Sequence, residues 1–165
     1  MKNAYFAGGC FWCIASCFNQ LEGVKQVLSG FSGGEEVNPT YEQVKAQETS
    51  HRETIKIIYD ENKVSYERLL DIFIENVDPF DEGGQFIDRG HSYSLAIYYE
   101  NEKEKGFANE IVTKIKQSTG KTPYISIEKF KSFYLASEYH QDYNLKHPEE
   151  FEKELIESGR KKTNK

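Results

Sequence analysis

The residues able to do chemistry cluster near the start of the chain, in Gly8-Gly9-Cys10-Phe11-Trp12-Cys13, with a further cysteine at position 17. Two glycines follow the apolar run Ala4-Tyr5-Phe6-Ala7, and a helical pattern starts directly after them. A cysteine at a helix start meets the positive end of the backbone dipole and unpaired N–H groups, and both favour the nucleophilic thiolate. The glycines allow close approach of backbone or substrate, and the chain's one Trp sets an aromatic surface beside the sulfur. A second reading stays open here: a glycine turn capping a helix whose cysteines fill core space. All three cysteines fall at positions 10, 13 and 17, which implies redox chemistry, metal ligation or a shared buried face. C-x2-C-x3-C matches no structural zinc framework. Cys10 and Cys13 also form the C-x-x-C pair of a general thiol–disulfide oxidoreductase.

Composition narrows the classes. At 165 residues the chain has the length of one domain, with a core expected over about residues 4–145 and a charged extension over 146–165. The net charge of −6 offers no basic footprint for nucleic acid or an anionic membrane surface. Arg160-Lys161-Lys162, the one cationic run, is expected to fray in solvent. No apolar run approaches a membrane span, and the start lacks a basic stretch followed by an apolar one. The expectation is a soluble, cytoplasmic chain whose cysteines are not a disulfide scaffold.

The elements that must position these cysteines follow from periodicity. A short strand over 4–7 leads to a helix from Cys10 to about Leu21, on which Cys10, Cys13 and Cys17 share one side. Val24 to about Phe31 reads as a strand, Tyr41 to Ala46 as a short helix, and Glu53 to Tyr59 as a strand. Ser65 caps a helix through about Asn76. Residues 78–92 form a long loop, of a length often tied to function. Ser94–Tyr99 is a strand, Asn101 to about Thr119 an amphipathic helix and Ile125–Ile127 a last strand. Phe133 to Tyr143 reads as aromatic coil, and Pro148 to Ile156 as a solvated helical appendage. Up to residue 99 the order is β-α-β-β-α-β. It predicts an α+β, ferredoxin-like fold with helices on one face of the sheet, plus an appended helix and strand.

Motifs spread along the chain give a resemblance. Gly-Cys-Phe-Trp at 9–12, Gly30-Phe31-Ser32-Gly33-Gly34, Asn38-Pro39-Thr40-Tyr41 and His51-Arg52-Glu53 occur in order. They are followed by Asp78-Pro79, Gly84-Gln85, Asp88, Gly90, Tyr93, Ala96-Ile97-Tyr98 and Glu138-Tyr139-His140-Gln141-Asp142-Tyr143. The pattern resembles the A-type peptide-methionine sulfoxide reductases over roughly residues 4–145. The resemblance implies an enzyme that reduces the S epimer of methionine sulfoxide, free or in proteins, without metal or organic cofactor.

Carried over, it makes Cys10 the nucleophile and Phe11 and Trp12 the apolar wall for the substrate methyl. Tyr41, Glu53 and Tyr93 surround the sulfoxide oxygen, with Asp88 in support. Negative charge grows on that oxygen as sulfur is attacked, so neutral donors suit it, and burial would keep Glu53 protonated. His51 and His140 are expected to be structural. Oxygen transfer leaves Cys10 as a sulfenic acid, which a thiol condenses with to a disulfide. Family members often keep recycling cysteines near the C-terminus; this chain leaves Cys13 and Cys17. Cys13 lies one turn away and is the favoured resolving thiol. Cys17, about 10.5 Å along an ideal helix, is a possible relay or core filler. Thioredoxin or a similar dithiol would then reset the enzyme. Ala15, Ile87, Ser94 and Phe31 depart from the family pattern, which usually has Glu, Asn, Arg and Tyr there.

Overall fold

The computed structural model describes residues 1–160. In chain order the elements are β1 (Lys2–Gly8), α1 (Phe11–Ser16), β2 (Val24–Ser32), α2 (Tyr41–Lys45), β3 (Arg52–Tyr59) and α3 (Tyr66–Glu75). Then come β4 (Gly84–Gln85), β5 (Asp88–Arg89), β6 (Leu95–Tyr99), α4 (Glu102–Thr119), β7 (Ile125–Lys129), β8 (Phe133–Leu135), α5 (Tyr143–Lys146) and α6 (Pro148–Glu157). Polar side chains begin the helices where sequence places them. Thr40 and Gln43 form a reciprocal capping box on α2, and the Ser65 hydroxyl accepts from the Arg68 N–H at 3.0 Å.

The fold is mixed α+β, around a six-stranded sheet in the order β7-β6-β1-β3-β2-β8. β1 lies at the centre, antiparallel to β3 (Phe6 opposite Ile55) and to β6 (Phe6 opposite Ile97). β2 runs antiparallel to β3, while β7 joins β6 in parallel after the α4 crossover. Alternation sorts the faces of the central strands. Ala4, Phe6, Ile55, Ile57, Leu95 and Ile97 pack under the helices with Leu69, Phe73 and Ala108. Tyr5, Ala7, Ala96 and Tyr98 point the other way, beneath Phe130 and Phe133.

Four stretches differ from expectation. α1 covers six residues, and the chain then turns through Cys17 and Phe18 by N–H bonds to residues three back. The 78–92 loop contains the small β4–β5 hairpin, and the expected aromatic coil starts as β8, an edge strand paired to β2. α6 is not a solvated appendage: Phe151 is buried with Cys13 and Tyr143, and Leu155 packs against them. The reason is local, since Phe151 and Leu155 form an i, i+4 apolar stripe on an otherwise charged helix. Arg160 is not frayed either, as its guanidinium donates to the Gly8 carbonyl at 2.9 Å and the Asn76 carbonyl at 3.2 Å. Lys161 and Lys162 lie outside the described residues. Among the described residues no helix is long and apolar enough to cross a membrane.

Candidate active site

The site forms where β1 ends. Extending the β1–β3 register puts Gly8 level with Glu53, so the chain leaves the sheet beside that carboxyl. Gly9 makes the turn at φ +90°, a left-handed conformation that side chains disfavour. A β-carbon there would sit 2.8 Å from the Gln85 β-carbon, which leaves room for hydrogen alone. Gln85 is itself fully buried and fixed by bonds to Asp78 and Gly84. Cys10 follows as N-cap of α1, its carbonyl accepting from the N–H groups of Cys13 and Ile14.

Cys10, Trp12, Tyr41, Glu53, Asp88 and Tyr93 line one cavity of about 220 Å³, together with Cys13. Six residues from five separate segments, expected to act together, are thus brought to one place. Glu53 is 2% exposed, and its Oε1 accepts from the Phe11 N–H at 3.1 Å. Its Oε2 is buried with no partner among the described residues. Burial pushes the carboxyl up to about 8; the Phe11 N–H and the Tyr93 hydroxyl oppose this, and the nearby charge of Asp88 adds to it. Burial and Glu53 also push Tyr41 and Tyr93 well above the ordinary phenol value. Glu53 is therefore mostly neutral at pH 7 and both phenols fully so, giving three proton donors around one space. Asp88 is raised as well, chiefly by burial, with Arg160 and Lys45 pulling it back.

An aromatic stack walls the cavity. Trp12 lies face to face with Tyr143 (centroids 3.9 Å apart) and near-parallel to Tyr41 (6.4 Å), while His140 stacks on Tyr41 at 4.2 Å. The structure does not bring Phe11 to the cavity surface. At 1% exposure it sits behind Tyr41 and against Phe31, because helical rotation turns it toward the sheet.

At Cys10 the neighbouring Cys13 sulfur, burial and the nearby Glu53 all push the thiol well above its ordinary value, against the pull of a helix start. The hydrogen bond between the two sulfurs pulls Cys13 down, so the pair ionises in two separated steps, as one unit. α1 is too short for its dipole to dominate. Cys17 lies outside this cavity, half-buried, with its thiol donating to the Cys13 carbonyl at 3.6 Å. His51 is wholly buried; its Nδ1 accepts from the Gly34 N–H and its Nε2 bonds the Glu36 carbonyl, the structural role expected. His140 serves by stacking instead, its Nδ1 unpaired among the described residues.

The departures from the family pattern also find places. Ala15 and Phe31 are buried in the core, and the Ser94 hydroxyl accepts from Arg52 Nε at 2.8 Å. Ile87 stands exposed at the hairpin tip on the cavity rim. Lys45, Glu154, Glu157 and Ser158 also line the cavity and were not anticipated. For the last three, the signal was the Phe151–Leu155 stripe, which turns the neighbouring carboxylates of α6 toward the cysteines.

Known proteins match this arrangement over nearly its whole length. The sequence model for a family described as peptide methionine sulfoxide reductase fits residues 2–165. The peptide methionine sulfoxide reductase MsrA of Bacillus licheniformis is 46% identical over 159 residues, 95% of this chain and 88% of that protein. MsrA 2 of Staphylococcus aureus is 44% identical over 160 residues, 96% of this chain and 90% of that protein. The reduced form of Mxr1 from Saccharomyces cerevisiae superposes with a TM-score of 0.84 at 25% identity, covering 90% of this chain and 86% of Mxr1. Mxr1 solved in complex with Trx2 shares the fold, at TM-score 0.59 and 17% identity over 86% of this chain and 84% of Mxr1. With a cysteine, a neutral buried carboxyl and two phenols around one cavity, the chain belongs to the peptide methionine sulfoxide reductase family.

Proposed function

We propose that this enzyme reduces the S epimer of methionine sulfoxide, free or in proteins, with Cys10 attacking the sulfoxide sulfur. The observation that carries the reading is Glu53: buried, raised to about 8 and with a free oxygen in the cavity that Cys10 lines. Glu53 hands its proton to the sulfoxide oxygen while Tyr41 and Tyr93 donate hydrogen bonds to it. The proton that Cys10 loses restores Glu53. Oxygen passes to Cys10, methionine leaves, and the enzyme holds a sulfenic acid. Trp12 receives the methyl group, Phe11 braces Tyr41 and holds Glu53 through its N–H, and Asp88 supports the cluster.

Cys13 then condenses with the sulfenic acid, giving a Cys10–Cys13 disulfide and water; Cys17 stands by as a possible relay. A dithiol of the thioredoxin type restores both thiols, a partner supported by the complex of Mxr1 with Trx2. The reducing chemistry suits a cytoplasmic location. The chain acts as one catalytic domain over 1–165, its core near 4–145. Its β6-β1-β3-β2 centre, antiparallel throughout, supports a ferredoxin-like description.

The test is a single turnover with excess S-sulfoxide and no reductant, comparing the parent with Glu53→Gln. The expected result is one methionine per parent chain, a Cys10–Cys13 link by peptide mass spectrometry, and at least about a 100-fold slower burst in the variant. A variant as fast as the parent overturns the role of Glu53.

A further inference from the structure

A second cavity, of about 390 Å³, opens behind the cysteine helix, with Cys13, Ser16, Cys17, Phe86 and Arg160 on its walls. Cys13 lines this cavity and the one holding Cys10, so it is the cysteine common to both. Arg160 reaches in from the residues after α6 and is held by neutral partners. Its two terminal nitrogens donate to the carbonyls of Asn76 and Gly8, and its guanidinium stacks 4.6 Å over Phe86. Its Nε is buried with no acceptor among the described residues. The side chain thus brings a guanidinium, paired with neutral groups only and with one N–H left over, to the wall of a cavity that Cys13 and Cys17 also line.

We infer that Arg160 is a positioning residue for the second half of the cycle, steadying the Cys13 thiolate as it attacks the Cys10 sulfenic acid. The inference rests on the roles proposed above for Cys10 and Cys13. In that step the Cys13–Cys10 S–S bond forms and the Cys10 S–O bond breaks. Hydroxide takes up a proton and leaves as water; Cys13 sulfur is oxidised and Cys10 sulfur reduced. When a dithiol later opens the disulfide by attack at Cys10, Cys13 departs as the thiolate and meets the same charge. The groups that act on Cys13 are Cys10 before α1, Asp88 on β5, Glu154 on α6 and Arg160, while Glu75 and Asp78 also line the second cavity. Of the groups named as acting on Cys13, Arg160 alone is cationic; Lys45, Glu53 and Glu157 also line the first cavity with Cys13. The charge of Arg160 favours ionised Cys13 where Asp88 and Glu154 oppose it.

Single turnovers of the parent, Arg160→Met and Arg160→Lys with a blocked methionine S-sulfoxide, from pH 6 to 9 without reductant, test this. Methionine and the Cys10–Cys13 disulfide are followed separately by quenched mass spectrometry. Methionine formation is expected to change less than about threefold in either variant. Disulfide formation slows about tenfold at pH 7 in Arg160→Met, with its pH midpoint moved upward, and Arg160→Lys keeps the parent midpoint. Equal midpoints in the parent and Arg160→Met overturn the inference. So does a lysine variant that behaves as the methionine one, since a lost strap rather than lost charge would then be the cause. A parent that forms no methionine strikes at the reading of Cys10 instead, a separate failure.

Discussion

Glu53 shows how one side chain acquires its chemistry from its surroundings. Lifted from about 4.5 to about 8 by burial, it keeps its proton through neutral pH. In the proposed reaction, sulfoxide reduction therefore holds steady below about pH 8 and falls above it. Single-turnover rates on a blocked sulfoxide should show that midpoint in the parent and lose it in Glu53→Gln. The same shift acts on stability. Between about 4.5 and 8 the unfolded chain has released this proton and the folded one has not. Stability therefore declines as pH rises through that window. The isosteric Glu53→Gln should flatten the decline and stabilise the protein by about 1–3 kcal/mol at pH 8, read from denaturation midpoints. Nothing local in His51-Arg52-Glu53 distinguishes this acid from a charge at a strand edge. The groups that meet its carboxyl, the Phe11 N–H and the Tyr93 hydroxyl, are distant in sequence.

At the scale of elements, the turn from β1 to α1 sets where Cys10 points. Gly9→Ala would place a β-carbon at positive φ against Gln85, which three hydrogen bonds prevent from yielding. The expected cost is about 1–3 kcal/mol, with slowed methionine formation as Cys10 shifts from Glu53. Gly106 is the contrast: it lies within α4, and an added β-carbon meets nothing within 4 Å. Gly106→Ala should stabilise by about 0.5–1 kcal/mol. Urea denaturation of both variants checks the pair. Helices with strong caps and periodicity were legible in the sequence, α3 and α4 especially. The end of α1 was not, because the apolar spacing of Phe18 and Leu21 persists through a turn that packs like a helix.

Across the whole molecule, α6 folds back to close the site. Phe151 joins Cys13 and Tyr143, while Glu154 and Glu157 complete the cavity wall. Phe151→Ala should cost about 3 kcal/mol and speed alkylation of Cys13, both measurable without substrate. Unchanged labelling would mean that α6 does not shield this thiol.

The order of elements, the cysteine cluster and the family motifs were all written in the sequence, since each rests on local spacing or residue type. So were the residues that converge, because Tyr41, Glu53, Asp88 and Tyr93 lie in recognisable segments. Tertiary structure alone decided their protonation and company. The raised carboxyl of Glu53, the shared ionisation of Cys10 and Cys13, the rotation of Phe11 into the core and the docking of Arg160 all depend on neighbours far apart in sequence. Desolvation and charge coupling act through space, so they exist once the sheet has brought those neighbours together.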